Sequence, residues 1–209
     1  MIEPKRLEKG KETVGIDIIR VHQKGQTKFD NMAFFCTIFI LDNRSNLPIK
    51  IISSPYSLIR KGNQQDLPEV LALIKELATY EKAPDEVVVT VEEMQNWGFG
   101  KDKVFDFFVA VNEDKIVGLA LYYFKYSTWK GRCLFLEDII VTEAFRGKGL
   151  GKKLFEKVAK VAKMEKVKRM EWQVLDWNES AINFYKKYPS HFDGEWINCK
   201  LTDKELMSF

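Results

Sequence analysis

The glycine-rich turn at 146–151, Arg-Gly-Lys-Gly-Leu-Gly, places three glycines at alternate positions among basic residues. Glycine lets the backbone adopt unusual dihedral angles and approach a ligand closely. An amphipathic helical pattern follows, with its apolar stripe at Leu150, Leu154, Phe155, Val158 and Val161. The unpaired N–H groups and positive dipole end of a helix N-terminus attract anions. The spacing therefore predicts a phosphate-binding turn that opens a helix.

The same turn differs from two other phosphate-binding motifs. It has no Lys-Ser/Thr ending, which a P-loop requires, and it lacks the GxGxxG spacing of a dinucleotide fold. The pattern present is Arg-x-x-Gly-x-Gly. A basic, glycine-containing helix start without any ligand is the alternative interpretation of this motif.

A β-type apolar run, Leu134–Val141, precedes the turn and is broken by Glu137 and Asp138. Two adjacent acids inside an apolar strand are costly unless at least one faces a polar cleft. Because side chains alternate along a strand, we expect the two carboxylates on opposite faces. Only one of the two would then line the cleft directly, and the other would be structural or at a subunit contact. A strand carboxylate paired with Lys or Arg is the alternative for Glu137.

Length and composition describe an ordinary globular chain. Its 209 residues suit one main domain, and 45% hydrophobic with 30% charged residues is typical of such proteins. The net charge of +3 is too small to argue for nucleic acid. Three distant cysteines and two histidines show no zinc spacing: Cys36, Cys133, Cys199, His22 and His191. We expect no metal, and reduced thiols in a cytoplasmic protein.

Residues 1–55 differ from the rest and are predicted to be an N-terminal extension, with the main domain at 56–209. The apolar run Met32–Leu41 is too short to span a bilayer. It also lies too far into the chain for a secretory signal and is followed by polar residues. An extra strand, an interface segment, a signal or anchor, and a natural start codon further downstream all remain open for this region.

From Tyr56 the order of predicted elements is β, α, α, β, β, β, α, β, α, β, which indicates an α/β domain on a mixed sheet. Asp66 is predicted as the N-cap of the first helix, and Thr90 with Glu93 as a capping box for the second. The later predicted strands are Arg169–Leu175 and Gly194–Leu201. The last predicted helix is Asn178–Tyr188.

Several stretches together resemble the diamine acetyltransferases, the spermidine/spermine group of the GNAT superfamily. They read LIKELATYEK (73–82), GFG (98–100), ALYYFKYSTWKGR (120–132), LEDIIV (136–141), RGKGLG (146–151) and LDWNESAINFYKK (175–187). The YSTWKGR and LDWN wording resembles the thialysine-preferring branch more than the spermine-preferring one, in which an acidic residue is typical at the position of Ser127. The resemblance implies the GNAT fold: a mixed, mostly antiparallel sheet flanked by helices, with strands splayed at the acetyl-CoA site.

The reaction implied is direct transfer of an acetyl group from acetyl-CoA to a primary amine in a ternary complex. A free alkylamine is nearly all protonated at pH 7, so the site needs a proton acceptor and a donor for the departing thiolate. The resemblance assigns these roles to Glu137 and Tyr185. It thereby selects Glu137 as the carboxylate that lines the cleft and leaves Asp138 as structural or at a subunit contact. An aromatic packing residue is the alternative for Tyr185.

The resemblance also implies the binding residues. The predicted cofactor contacts are Ile139, Ile140, Val141, Arg146, Gly147, Lys148, Gly149, Leu150, Gly151, Lys152, Asn178, Ser180 and Tyr185. The predicted amine contacts are Tyr80, Glu81, Trp129, Glu137 and Trp196, although both tryptophans suit ordinary packing equally well. With Ser127 in place of an acid, a small amine such as thialysine or a short diamine is favoured over a tetra-amine.

The resemblance further implies a cytoplasmic homodimer, and we expect no membrane or nucleic-acid partner. Two rival functions remain. A protein or peptide N-acetyltransferase would need an open groove. A non-catalytic acyl-CoA-binding module would not need the Glu137 carboxylate or the Tyr185 hydroxyl.

Overall fold

The computed structural model describes residues 57–209, so the predicted boundary at residue 55 and the run Met32–Leu41 lie outside the described residues. The strands are β1 (Leu58–Lys61), β2 (Asp106–Asn112), β3 (Lys115–Ser127), β4 (Gly131–Val141) and β5 (Met170–Glu171). The helices are α1 (Leu67–Tyr80), α2 (Val91–Phe99), α3 (Leu150–Met164), α4 (Glu179–Tyr185) and α5 (Asp203–Leu206). None of the helices in this range is long and apolar enough to cross a membrane.

The strands form one sheet in the order β1-β2-β3-β4-β5. The first four are antiparallel to their neighbours, and β5 runs parallel to β4. The hairpin between β2 and β3 turns through Glu113 and Asp114, which have positive φ values of 48° and 65°, as tight two-residue turns require. The predicted α/β fold with a mixed, mostly antiparallel sheet is confirmed.

Helices cover both faces of this sheet. One face packs against α3 and α4 through a core that includes Phe108, Leu136, Leu154, Phe155 and Tyr185. The other face packs against α1 and α2 through Leu67, Val70, Met94, Val109 and Leu119.

The approach of α3 to the sheet depends on Gly118 in β3. A Cβ atom at this position would lie 3.1 Å from both a Leu154 methyl carbon and the Ile140 carbonyl oxygen. Such contacts are tighter than ordinary packing, so a larger residue would push α3 away from β4. Because α3 begins at the glycine-rich turn, Gly118 helps to hold that turn beside the end of β4.

The side-chain hydrogen bonds at the N-termini of α2 and α1 can be compared with those predicted from the sequence. At α2, Thr90 Oγ1 accepts a hydrogen bond from the Glu93 N–H (3.2 Å), and the Glu93 carboxylate accepts one from the Thr90 N–H (2.8 Å). The predicted capping box is therefore confirmed. Asp66 is the N-cap residue of α1, as predicted, but its side chain makes no capping hydrogen bond to this helix.

Asp66 instead ties β1 to the helix that follows. Its carboxylate accepts two hydrogen bonds from the Arg60 guanidinium, at 2.6 and 2.8 Å, and one from the Asn63 N–H at 2.8 Å. A short 3-10 turn, Gln64–Asp66, separates Asn63 from α1. The side chains of Asn63 and Asp66 form a capping box at the start of this turn.

Two predicted strands near the C-terminus are shorter or absent. The strand predicted over 169–175 is limited to Met170–Glu171, and the predicted strand Gly194–Leu201 is wrong, because residues 194–201 carry no strand assignment. A strand needs a hydrogen-bonding neighbour, and β5, at the edge of the sheet, pairs through only two of its residues. The short helix α5 was not predicted.

We expect Asp66→Ala to lower the free energy of unfolding by about 2–3 kcal/mol, because it leaves the Arg60 guanidinium and the Asn63 N–H without their acceptor. Arg60 is one-third exposed, with 34% of its side chain accessible, so water limits the loss. The exposed Asp102 provides a matched control for Asp66. Urea denaturation of Asp66→Ala and Asp102→Ala measures the difference, and equal stability of the two variants would contradict the assignment.

The same carboxylate predicts a pH dependence. Burial opposes its ionisation, but the Arg60 and Asn63 hydrogen bonds outweigh burial and hold the pKa of Asp66 below its ordinary value. A lowered folded-state pKa means that this stabilisation is complete above the unfolded pKa and is lost as the pH falls through the folded one. Asp66→Ala should therefore lose part of the acid sensitivity of unfolding.

Candidate active site

A free stretch of strand edge forms the centre of the candidate site. β5 pairs with β4 only at Leu134 and Phe135, so the second half of β4 has no neighbour on that side within residues 57–209. Ile139, Ile140 and Val141 lie on this unpaired stretch. The predicted splaying of strands is therefore present, and it opens a groove between β4 and the chain that continues from β5.

The glycine-rich turn lies at the end of this groove. Gly147 and Gly149 have φ values of 74° and 78°, in the left-handed region that favours glycine. Gly149 is the N-cap of α3 and, lacking a side chain, leaves the first N–H groups of the helix free of side-chain caps. The turn and the helix start together can surround an anion.

One cavity of about 600 Å³ joins these features, and we call it the glycine-turn groove. Every residue predicted to contact the cofactor lines it, except Lys148. Tyr80, which was predicted as an amine contact, also lines this groove. The other lining residues, which were predicted for neither ligand, are Leu77, Phe145, Glu156, Ala181, Phe184, Lys187 and Tyr188. The spacing of Ala181, Phe184 and Tyr188 along one face of a helix was a signal that could have found three of them.

Lys148 departs from its predicted position, and the carbonyl of Val141 already has a hydrogen-bond partner. Lys148 turns away from the groove, since its ammonium donates to the Ala144 carbonyl (3.1 Å) and lies 4.5 Å from the centre of the Phe145 ring. The Val141 carbonyl accepts a hydrogen bond from Arg146 Nε at 2.9 Å. Arg146 thus fixes the strand end to the turn.

Tyr80 bridges the groove from the end of α1. Its hydroxyl donates to Asn178 Oδ1 at 3.2 Å, and Asn178 Oδ1 also accepts from the Ala181 N–H at the start of α4. The Arg146 guanidinium lies 5.2 Å from the centre of the Tyr80 ring. Tyr80, predicted as an amine contact, is therefore placed against two predicted cofactor contacts.

Tyr185 is buried where the groove meets the core. Only 4% of the residue is exposed, and its ring packs against Phe155, Trp172 and Phe184. Burial, followed by the nearby charge of Glu81, raises the pKa of the Tyr185 hydroxyl well above its ordinary value. The phenol is therefore protonated at neutral pH, and it both packs in the core and lines the groove.

A β-bulge in β4 changes the expected directions of the two acids. Leu121 pairs with Asp138 while the next residue, Tyr122, pairs with Leu136, so Glu137 is the extra residue. One extra residue breaks the alternation of side chains. Glu137 and Asp138 therefore point to the same face of the sheet, the one covered by α1 and α2. The prediction that they point to opposite faces is wrong.

Glu137 lines a second cavity, of about 770 Å³, which we call the Glu137 pocket. Its other lining residues are Lys103, Val104, Phe105, Asp106, Leu121, Tyr122, Tyr123 and Phe124. The Glu137 side chain is exposed and lies near Tyr123. Burial and then the Glu137 charge raise the pKa of Tyr123.

Asp138 is less exposed than Glu137 and has acidic neighbours. Burial, followed by the charges of Glu137 and Glu81, raises its pKa to about 6. Burial also raises the pKa of Glu81, at the end of α1. Glu81 is thus the common acidic neighbour of Asp138 and Tyr185.

The five predicted amine contacts are not brought together. Glu137 lines its own pocket, Tyr80 lines the glycine-turn groove, and Glu81 lies near Asp138. Trp129 and Trp196 are 78% and 73% exposed and line neither cavity. Among residues 57–209 no group of His, Cys, Asp or Glu is arranged to hold a metal ion.

Comparison with curated proteins agrees with this arrangement. Residues 69–188 match the acetyltransferase (GNAT) family. Thialysine N-epsilon-acetyltransferase of Bos taurus is 41% identical over 139 residues, which cover 63% of this chain and 82% of that protein. L-ornithine N5-acetyltransferase of Arabidopsis thaliana is 37% identical over 99 residues, 47% of this chain and 43% of that protein.

Solved structures show the same fold. An aminoglycoside acetyltransferase from an uncultured soil metagenomic sample, in complex with sisomicin, matches with a TM-score of 0.60 at 20% identity. The match covers 70% of this chain and 96% of that chain. The family match spans the sheet from β2 to β5 together with the glycine-rich turn, α3 and α4. The chain therefore belongs to the acetyltransferase (GNAT) family and is an N-acetyltransferase.

Proposed function

We propose that this enzyme transfers the acetyl group of acetyl-CoA to the primary amine of a small molecule such as thialysine, a diamine or a polyamine. The observation that carries the proposal is that two cavities of different chemistry both draw part of their lining from β4. Glu137 lines one, and Ile139, two residues further along the same strand, lines the other. A pocket with an exposed carboxylate and a groove with a glycine-rich turn are thus both built on this strand.

The glycine-turn groove suits acetyl-CoA, which supplies the thioester when bound. The turn and the α3 N-terminus would hold the pyrophosphate, because free N–H groups and Lys152 lie there. The unpaired edge of β4 would bind the pantetheine arm as a missing neighbouring strand. Asn178 and Ser180 would complete the groove from the α4 side.

The Glu137 pocket suits the amine. Lys61 and Lys103 both lie within 3 Å of Asp106 Oδ1, at 2.9 and 2.7 Å, so the Asp106 charge is balanced. Glu137 makes no ion pair within residues 57–209 and remains available to a substrate ammonium. Aromatic residues in the lining can pack against an alkyl chain and attract its cationic end.

Tyr185 would supply the proton for the departing thiolate. It lines the groove, and its raised pKa keeps the hydroxyl protonated. Proton donation by a positioned side chain is worth roughly 10²- to 10⁴-fold in rate.

A short amine is favoured over a long polyamine at this site. The Ser127 hydroxyl accepts hydrogen bonds from the Trp129 and Lys130 N–H groups, both at 3.3 Å, so it holds the hairpin turn. A serine there offers no negative charge to a distant ammonium. The relatives named for thialysine and L-ornithine act on ω-amines of amino acids, which is consistent with this preference.

We also infer a cytoplasmic homodimer. The C-terminal segment 192–209 exposes a set of large apolar side chains: Phe192, Trp196, Ile197, Leu201, Leu206, Met207 and Phe209. Contact with a second copy of the chain would remove these side chains from water. The exposed Trp129 and Trp196 would then reach the second copy instead of the cavities of their own chain. Free thiols at Cys133 and Cys199 are compatible with a reducing compartment.

The function is tested by measuring CoA release from acetyl-CoA with thialysine, lysine, ornithine, putrescine, spermidine, spermine and a histone-tail peptide. We expect kcat/KM to be highest for thialysine and short amines, because Glu137 is the one unpaired anion of its pocket among the described residues. Highest turnover with the peptide would support a protein N-acetyltransferase instead. Acetyl-CoA binding without turnover of any amine would support a binding module.

We expect Tyr185→Phe to lower kcat by about 10²-fold with little change in acetyl-CoA affinity, because it removes the proton donor and keeps the packed ring. Tyr188→Phe is the matched control, since Tyr188 also lines the groove and packs on Phe155. Steady-state kinetics and calorimetric titration with acetyl-CoA measure the two effects. Full turnover by Tyr185→Phe would show that Tyr185 only packs.

The homodimer is tested with Ile197→Asp, whose wild-type side chain is 88% exposed, and with the control Val88→Asp, at a residue 84% exposed in the α1–α2 connection. A charge inside an apolar interface should shift sedimentation from dimer to monomer for Ile197→Asp alone. A monomeric wild-type protein, or equal behaviour of both variants, would contradict the assignment of segment 192–209 as the interface.

A further inference from the structure

Tyr80 contacts side chains from two other segments of the glycine-turn groove. Its hydroxyl donates a hydrogen bond to Asn178 Oδ1 at 3.2 Å. The guanidinium carbon of Arg146 lies 5.2 Å from the centre of its ring. All three residues line the groove, but they come from the end of α1, the N-cap of α4 and the glycine-rich turn. One side chain thus joins three segments that are distant in the sequence.

The hydrogen bond from Tyr80 determines what Asn178 can offer to a ligand. Asn178 Oδ1 also accepts a hydrogen bond from the Ala181 N–H at 3.1 Å. Because a backbone N–H can only donate, this second contact fixes which atom of the amide faces α4. An amide oxygen has two lone pairs, and both of them are now used. The amide N–H groups remain for the groove, so Asn178 acts towards a ligand as a donor.

The Tyr80 ring also restricts the Arg146 guanidinium. Arg146 Nε donates to the Val141 carbonyl at 2.9 Å, and Glu76 Oε1 lies 3.9 Å from a terminal nitrogen of the same group. An aromatic face attracts a cation, so the ring, the carbonyl and the carboxylate together hold the guanidinium at the turn. Glu76 and Tyr80 are four residues apart, so both contacts come from one face of α1.

A second aromatic residue supports Tyr80 beside α4. The ring centres of Tyr80 and Trp177 are 6.0 Å apart, and the Lys82 ammonium lies 4.9 Å from the centre of the Trp177 ring. Tyr80 is 39% exposed, so these contacts rather than deep burial restrict its ring. The side chain is therefore held between the end of α1 and the start of α4.

We propose that Tyr80 is a positioning residue for the cofactor. It orients the amide of Asn178 and the guanidinium of Arg146 as hydrogen-bond donors towards a ligand in the glycine-turn groove. This inference rests on the proposed function, which assigns acetyl-CoA to that groove. It replaces the sequence-based prediction that Tyr80 contacts the amine.

The chemistry of the cofactor explains why donors are needed there. Phosphate oxygens accept hydrogen bonds, and those from a guanidinium are among the strong ones. An Asn178 amide turned the other way would present lone pairs to an anion and repel it. Donors that are already oriented also lose less side-chain freedom when a ligand binds. Loss of Tyr80 should therefore weaken the binding of acetyl-CoA more than the binding of the amine.

The first variant is Tyr80→Phe, which keeps the ring beside Arg146 and leaves the Asn178 amide free to turn. Calorimetric titration measures the Kd of acetyl-CoA, and steady-state kinetics measures the KM of the amine. We expect this Kd to rise about fivefold, the effect of one lost hydrogen bond, and the amine KM to stay unchanged. Tyr126→Phe is the matched control, since Tyr126 is 79% exposed and lines neither cavity, and its Kd should equal that of wild type.

The second variant is Tyr80→Leu, which removes the ring as well as the hydroxyl. The Kd of acetyl-CoA should rise about 20-fold, because the cation–π contact with Arg146 is lost in addition to the hydrogen bond. Equal Kd values for Tyr80→Phe and Tyr80→Leu would overturn the role assigned to the ring.

A double-mutant cycle tests whether the hydroxyl acts through Asn178. Serine is as good an N-cap as asparagine, so Asn178→Ser keeps the start of α4 but removes the amide. In that background, Tyr80→Phe should change the Kd of acetyl-CoA by less than about twofold. The same fivefold loss in both backgrounds would show that Tyr80 acts independently of Asn178 and would overturn the inference.

The remaining outcomes separate this inference from its rivals. A higher amine KM in Tyr80→Phe with an unchanged Kd of acetyl-CoA would overturn it in favour of direct amine contact. A lower Tm together with equal losses of affinity for both substrates would make Tyr80 a structural residue and would overturn it as well.

The affinity measurements also keep this inference distinct from the proposed function. Wild-type enzyme that binds acetyl-CoA but acetylates no amine would overturn the proposed function alone, because the Kd values of the variants would still decide the role of Tyr80. Wild-type enzyme without affinity for acetyl-CoA would overturn both.

Discussion

The architecture of the site depends on the hydrogen bonding of β4. Its first half pairs with β3 on one side and β5 on the other, but its second half pairs with β3 alone. Unpaired backbone groups on a strand edge readily accept an extended ligand as an additional neighbour. The groove, with Tyr185 in its lining, opens where β4 and β5 diverge.

The sequence predicted those parts of the structure that depend on interactions between residues close together in the chain. The capping box of Thr90 and Glu93 forms as expected, because both partners lie within one helical turn. The glycine-rich turn and the apolar stripe of α3 follow from the dihedral freedom of glycine and from helical periodicity. The predicted lining of the glycine-turn groove is nearly complete for the same reason, since most of it comes from one continuous strand, turn and helix.

Features that depend on pairing between distant strands were not predictable in this way. Residues on both sides of Glu137 and Asp138 are all apolar, from Leu134 to Leu136 and from Ile139 to Val141. Because polar and apolar residues do not alternate in such a run, the sequence does not show on which face each side chain lies. An extra residue is therefore invisible, and simple alternation predicted the wrong face for Asp138. The C-terminal segment 194–201 alternates like a strand, yet no neighbouring strand within the described chain is available to pair with it.

The charges of the site are divided by β4 in a way that suits two ligands of opposite sign. The groove carries Arg146, Lys152 and the positive end of α3, whereas Glu137 lines the other cavity. The charges of Glu137 and Glu81 both act on Asp138. The basic groove repels a cation and the carboxylate of the Glu137 pocket repels an anion. Binding of either ligand in the wrong cavity is therefore disfavoured. Burial, followed by repulsion from the charges of Glu137 and Glu81, raises the pKa of Asp138 in the free enzyme. A bound ammonium group would relieve that repulsion. The acidic residues therefore destabilise the empty site and raise its affinity for a cation.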